Sequence, residues 1–329
     1  MSETTLYPLR FEPIYQYRLW GGRRLSDLLS APLPGGPVGE AWILSDRDDH
    51  PTRVVNGPLI GRTLTDLMEQ SQSQLMGKLS LRFKRFPLLL KFLDVREMLS
   101  VQVHPSDKHP ELIPTGESSK TEAWVVLEAQ QRSQIYVGVQ PGTTPAGLQR
   151  ALAAGSIADQ LVEITPKPGD AIFIPAGTVH TLGNDLVVFE IQQNSDVTYR
   201  LYDWNHIDPK TGGLRPLQID KAFASIDFEE STSGPVKPLI ETTAPVMRER
   251  LFDCPHFAVW RMCGLAPFRV GATDVPRVLV CVQGSGQIEY SNVQYAVQKG
   301  EAWLLPADIG ICPFRPVEDI TLLEIGIPE

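Results

Sequence analysis

The run Gly169-Asp-Ala-Ile-Phe-Ile-Pro175-Ala-Gly177-Thr-Val-His180-Thr-Leu-Gly-Asn184 limits most tightly what this chain can fold into. A turn at Gly169 feeds a short apolar strand, a second turn at Pro175 to Gly177 ends it, and His180 opens the next strand. In a β-barrel that geometry aims an imidazole inward from the wall, where it can bind a metal. One histidine makes no site. The partners lie upstream: Gln102 and His104 in Leu99-Ser-Val-Gln-Val-His-Pro105, and Glu122 in Lys120-Thr-Glu-Ala-Trp124.

The first upstream segment alternates. Leu99, Val101 and Val103 fall on one face of a strand and Ser100, Gln102 and His104 on the other, because side chains reverse at every residue. The second segment puts Lys120 and Glu122 on one face and Thr121, Ala123 and Val125 on the other. Two imidazoles, a carboxamide and a carboxylate make a four-point N/O set that suits Zn²⁺ or a related divalent ion, with positions left for water or substrate. Each residue has an ordinary reading by itself: a hydrogen-bonded strand histidine, a cross-strand glutamine, a surface carboxylate. Together they are a polar group on one face of otherwise apolar strands, costly to bury without a partner.

At its Gly, Pro, Gly, His and Asn positions the 169–184 run resembles the second conserved motif of the cupin superfamily. Gln-x-His in the first motif, where a general cupin has His-x-His, and Lys-Thr-Glu-Ala-Trp after it are similar to the type I mannose-6-phosphate isomerases, also called phosphomannose isomerases. Trp20-Gly21-Gly22, Gly39-Glu-Ala-Trp-Ile-Leu-Ser45, Pro87-Leu-Leu-Leu-Lys91-Phe-Leu-Asp94 and Asn194-Ser-Asp196-Val-Thr-Tyr-Arg200-Leu-Tyr-Asp203-Trp resemble further blocks of that family, in the right order. The chain resembles the shorter bacterial form and lacks the larger helical insert of eukaryotic-style members. The resemblance implies an aldose–ketose isomerase acting on mannose 6-phosphate and fructose 6-phosphate, with one Zn²⁺ per chain. It also implies a mainly β fold of two cupin-type (jelly-roll) β-barrels with helical inserts beside the first, and a monomer.

Composition agrees. At 329 residues the chain has room for two domains. No apolar run approaches a membrane span, and the N-terminus lacks the pattern of a signal peptide. Cys254, Cys263, Cys281 and Cys312 form no CxxC pair and lie apart from the proposed site, which points to thiols in a reducing cytoplasm. A net charge of −9 argues against nucleic acid as a partner. An acidic enzyme can still bind a sugar phosphate through a local cluster of cations.

Short strands dominate the rest. Helices are predicted from Thr63 to about Met76, from Thr144-Pro145 to about Ala154, from Ser156 through Val162 and from Leu217 to Ser225, set beside the barrel to wall one side of the cleft. The polar stretch Glu229 to Pro238 reads as a linker between a catalytic domain, 1–235, and a C-terminal cupin-like barrel, 240–329. In the latter, Gly300-Glu-Ala-Trp-Leu-Leu-Pro306 parallels Gly169-Asp-Ala-Ile-Phe-Ile-Pro175. Ile311 stands where the first copy has its histidine, so this barrel is expected to be metal-free and structural.

The chemistry requires a base besides the metal ligands. Glu190, in Val187-Val-Phe-Glu-Ile191, is the first candidate, and a buried carboxylate paired with Lys or Arg is the competing reading. Lys120 shares a face with Glu122 and is placed to shuffle protons between oxygens or to contact the phosphate. Arg200, at the block where the family has a functional arginine, suits phosphate or a developing oxyanion; a structural bridge to Asp196 or Asp203 is its alternative. Ser100 is a candidate for binding the phosphate or a sugar hydroxyl. Trp20, Glu40, Trp42 and Lys91 are read as shaping the fold or the pocket floor. Another metal-dependent cupin enzyme and a non-enzymatic sugar sensor are the rival functions; a cation pair at Lys120 and Arg200 counts against the first, and the lack of a basic helix-turn-helix segment against the second.

Overall fold

A computed structural model describes residues 5–29, 32–229 and 234–329. Among them strands dominate, as the turn-punctuated sequence predicts, and most belong to four antiparallel sheets. The first sheet runs Ala171–Ile174, Glu122–Glu128, Leu186–Gln193, Leu88–Val95, Glu40–Leu44, Ile14–Gln16 in spatial order. The second runs Leu161–Ile164, Gln134–Val139, His180–Gly183, Val101–Val103, Tyr199–Tyr202.

The central strands of the first sheet are apolar on both faces because both faces are covered. In Leu88–Val95, Leu88, Leu90 and Phe92 join a core shared with the C-terminal strands through Val278, Leu304 and Leu323. Leu93 and Val95 point the other way, against Ile135, Val137 and Leu182 of the second sheet. Each such side chain contributes roughly 1.5–3 kcal/mol on burial. Lys91 and Glu190 lie on that second face, between the two sheets.

The back of the second sheet needs cover of its own. Val101, Val103, Tyr199 and Leu201 pack there against Leu148 of helix Pro145–Ala154 and Ala222 of helix Ile219–Ser225. Helices therefore roof the outer face of this sheet. They do not wall the cleft described below, whose lining comes from strands and loops alone, contrary to the sequence expectation.

Two local expectations also change. Thr63 and Asp66 form a reciprocal capping box, yet the helix they start, Leu64–Gln70, breaks at Ser71 before resuming as Gln72–Met76. The break lets Leu75 and Met76 enter the same core as Leu64, Leu67 and Met68. Ser156 caps no α-helix: Ile157–Gln160 is a 3₁₀ turn, and Leu161–Ile164 is an edge strand paired with Gln134–Val139.

The remaining two sheets are largely C-terminal. One has seven strands, Leu9–Arg10, Ala302–Leu305, Arg277–Gln283, Ile320–Gly326, Ala258–Gly264, Met247–Asp253 and Leu239–Thr242; the other has four, Phe268–Gly271, Ile311–Pro316, Ser285–Tyr290 and Val293–Gln298. Leu9 pairs with Leu304, so the N-terminal segment supplies an edge strand to the seven-stranded sheet. Met262, Leu279, Trp303 and Leu322 meet Val270, Ile288, Val297 and Phe314 in a core of their own. Residues 230–233 of the expected linker lie outside the described residues, and Val236 donates its N–H to Ala171 at 2.8 Å.

The internal repeat is visible in the backbone. Gly169 (φ 92°) and Gly300 (φ 86°) make the same left-handed turn before Ala171–Ile174 and Ala302–Leu305. The place of His180 is taken by Ile311, which is half exposed. No helix among the described residues is long and apolar enough to cross a membrane.

Candidate active site

Three chain segments are clamped together by the turn that precedes His180. Gly177 (φ 96°) donates its N–H to His104 O at 2.8 Å, Ala176 donates to Thr121 Oγ1 at 3.2 Å, and Ile174 pairs with Glu122. His180 in turn pairs with Gln102, and Gln102 with Arg200. Directly opposed residues of an antiparallel pair share a face. The row His180, Gln102, Arg200 thus looks across at Glu122 and Glu190 from the other sheet.

His104, Glu122 and His180 are fully buried, and one ligand atom from each lies within 4.8 Å of the others. Glu122 is 3.3 Å from Nε2 of each histidine. Both imidazoles spend their Nδ1–H on backbone carbonyls at 2.8 Å, His104 on Val197 and His180 on Thr178. Each Nε2 is therefore a bare acceptor aimed at a carboxylate that also only accepts. No hydrogen bond satisfies His104 Nε2 or either Glu122 oxygen. Buried acceptors that face one another with no hydrogen between them fit a bound cation. Gln102 donates its amide N–H to His180 Nε2 at 3.3 Å, while its Oε1 accepts from Ser100 at 3.2 Å. Rotating that amide would turn the oxygen to the same point.

Electrostatics leave these groups unprotonated. Burial, helped by Lys120, pushes the His104 imidazole down to about 3, and burial also lowers His180. Both are neutral near pH 7. Burial opposes ionisation of Glu122, but Lys120 Nζ at 3.1 Å and the two imidazoles hold it well below the usual carboxylate range.

Beside the set opens a cleft of about 390 Å³. Gln102, Lys120, Ser100, Arg18, Lys91, Arg200 and Arg215 line it together with the carboxylates Glu40, Glu190, Asp196 and Asp208. Glu190 accepts from Trp124 Nε1 at 3.0 Å and pairs with Lys91 Nζ at 3.3 Å. Burial raises its pKa against the pull of Lys91. Glu40 has the opposite fate. Burial would raise it, yet Arg18 (2.7 and 3.1 Å), Lys91 and Trp42 hold it at about 2.

Of the residues singled out in the sequence, Trp20, Glu40, Lys91, Ser100, Gln102, Lys120, Glu190 and Arg200 line this cleft, and Trp42 donates to Glu40 from outside it. Arg200 donates to Ser100 Oγ at 3.1 Å and to Pro216 O at 3.2 Å, and has no carboxylate within ion-pair distance among the described residues. Asp203 is bound by Arg215 instead. Glu190 carries the lysine partner that was its competing reading, while still lining the cleft. Sequence reasoning missed Arg18 and Arg215 and placed Lys91 on the floor. A signal existed for Lys91 and Glu190: each is a charge set among buried apolar residues of a strand, Lys91 with Asp94 as the second charge of its strand and Glu190 as the one charge of its own. None existed for Arg18 and Arg215, which sit in loops.

The chain is similar to known proteins over most of its length. Residues 9–133 match the model of the phosphomannose isomerase type I catalytic domain. The mannose-6-phosphate isomerase ManA of Bacillus subtilis is 35% identical over 93% of this chain and 95% of its own, and the mannose-6-phosphate isomerase of Streptococcus mutans 32% over 92% and 93%. The crystal structure of the Bacillus subtilis mannose 6-phosphate isomerase superposes with a TM-score of 0.89 at 29% identity, covering 97% of this chain and 99% of that one. By this identity over nearly its whole length, the chain belongs to the type I phosphomannose isomerase family.

Proposed function

We propose that the chain interconverts D-mannose 6-phosphate and D-fructose 6-phosphate, using one Zn²⁺ held by Gln102, His104, Glu122 and His180. The observation that carries this reading is the convergence of buried acceptors without hydrogen-bond donors beside a cleft lined by charged side chains, among them Lys120 and Arg200. Two imidazoles and oxygen donors without sulfur favour zinc over softer-ligand metals. When bound, the ion supplies Lewis-acid charge that polarises the sugar carbonyl and steadies the enediolate.

The protein's own groups move the protons. Glu190 is the base: it removes the proton from C2 of the aldose and returns it to C1, so that the C2 oxygen becomes the carbonyl. Burial lifts its basicity, and Trp124 and Lys91 fix its two oxygens. Lys120 carries the hydroxyl proton from O2 to O1, a role supported by its place in the cleft lining and its contact with Glu122 at 3.1 Å. Arg200, with Ser100, offers a guanidinium not yet paired with a carboxylate to the charge on the substrate.

In the same reading residues 1–235 form the catalytic cupin domain and 240–329 a metal-free structural barrel with its own core, in a cytoplasmic monomer. The test is a coupled assay for fructose 6-phosphate from mannose 6-phosphate, run as purified, after chelation and after Zn²⁺ add-back. Turnover that dies with the chelator and returns with zinc supports the reading. A folded, zinc-loaded protein without turnover overturns it.

A further inference from the structure

Arg200 is not the only guanidinium at its end of the cleft. After strand Tyr199–Tyr202 the chain passes Asp203 and doubles back through a small hairpin, Ile207–Asp208 paired with Gly213–Leu214, to reach Arg215. Arg215 grips Asp203 through Nε, at 2.8 Å, and Nη2. The next residue, Pro216, gives its carbonyl to Arg200 Nη1. Gln218 then closes on the Arg200 backbone from both sides, at 3.0 Å through its side chain and 2.8 Å through its N–H. The hairpin therefore locks Arg215 beside Arg200.

This hairpin does little packing. Ile207 and Leu214 are 64% and 65% exposed, and its other anchors are Lys210 over the Tyr17 ring and a 3.4 Å contact from Tyr17 Oη to Asp208. It brings two groups to the cleft wall, Asp208 from its first strand and Arg215 just after its second.

The order of groups matters. From the proposed metal set, Gln102 leads to Ser100, Ser100 to Arg200, and Arg200 to the Pro216 carbonyl next to Arg215. Arg18 faces the same space, paired with Glu40. Burial, with Arg215 and Arg18 nearby, lowers the Arg200 pKa. Glu40 holds Arg18 and Asp203 holds Arg215, whereas Arg200 has no carboxylate at ion-pair distance among the described residues. Gathering like charges in a half-buried cleft is unfavourable unless an anion joins them.

We propose that Arg215, steadied by Asp203, is a specificity-determining residue: with Arg200 it grips the phosphate and makes the site select a phosphorylated sugar over the free one. The sugar part rests on the function proposed above; the phosphate part stands on the arginine geometry alone.

The zinc-loaded protein is compared with Arg215→Ala, Arg215→Lys and a control, Arg132→Ala, which removes an exposed arginine outside the cleft. Calorimetric titration with inorganic phosphate is expected to show binding weakened by about 10- to 100-fold in Arg215→Ala. KM for mannose 6-phosphate should rise by a similar factor with kcat nearly constant, since the lost contact serves ground and transition state alike. Turnover of unphosphorylated mannose should not change. Arg215→Lys, which keeps the charge without the fork, should recover part of the binding, and the control none of the defect. Unchanged phosphate binding in either folded Arg215 variant overturns the proposal, as does an equal loss on mannose and mannose 6-phosphate. Phosphate binding that depends on Arg215 in a protein without isomerase turnover would keep this inference and sink the proposed reaction.

Discussion

Glu122→Gln removes one negative charge and almost no volume from the centre of the site. The carboxylate lies 3.1 Å from Lys120 Nζ and 3.3 Å from each imidazole, all of them buried. At an effective dielectric of about 20 the Lys120 pair alone carries about 5 kcal/mol of attraction. Desolvation cancels part of this, and neutralising one partner of a buried pair costs about 3–5 kcal/mol net. The metal-free variant should therefore unfold more easily by about that amount. Zinc should widen the gap. A cation that binds only the folded state stabilises it by about 4 kcal/mol when its free concentration is a thousandfold above Kd. The parent should gain such an increment, and the variant, whose carboxylate is gone, only a small fraction of it. The assay is urea unfolding of both proteins, chelated and with buffered zinc. An equal zinc increment in both would refute the assignment of Glu122 as a ligand; no increment in the parent would refute the metal centre.

Lys91→Met leaves Glu190 buried without its cation, so the carboxyl should rise further above its ordinary value. If Glu190 must be ionised to act, the acid limb of kcat/KM moves to higher pH; a limb that stays in place argues against Glu190 as the base. Glu40 is held at about 2 against an ordinary 4.5, a lowered pKa whose stabilisation is present above pH 4.5 and lost as pH falls towards 2. That is about 3 kcal/mol. Glu40→Gln should flatten the acid-unfolding curve in that window, and an unchanged slope would contradict the pairing with Arg18 and Lys91. Thr63→Ala deletes the N-cap of helix Leu64–Gln70 and should cost about 1 kcal/mol in urea unfolding. A loss indistinguishable from zero would show that core packing alone sets that helix.

Much of the site was legible because its residues sit in segments with a clean local period. Alternation puts Gln102 and His104 on one face and Lys120 and Glu122 on another, but it fails at Leu99, which precedes strand Val101–Val103 and joins the core between the sheets rather than that of Val101 and Val103. The Gly169 and Gly177 turns bracket the strand before His180 at positions where the backbone takes positive φ. Where tertiary packing overrode a local signal, the reading slipped. Thr63 and Asp66 announce a helix correctly, but nothing near Ser71 reveals that Leu75 and Met76 are drawn into a distant core. Leu161–Ile164 looks like the end of a helix until its edge pairing with Gln134–Val139 is known.

The sequence by itself determined the mainly β class and the turn-strand-turn unit before His180, and it singled out His104, Glu122 and His180, which the fold brings together, since a strand's side-chain period and a glycine turn are properties of a few consecutive residues. Only the tertiary structure decided which charges meet. Lys91 opposes Glu190 because Leu88–Val95 and Leu186–Gln193 are register neighbours in a sheet buried on both faces. Arg215 reaches Arg200 because a hairpin with almost no core of its own folds back from Asp203. Register and strand order follow from apolar area buried over the whole chain, a sum that no local window contains.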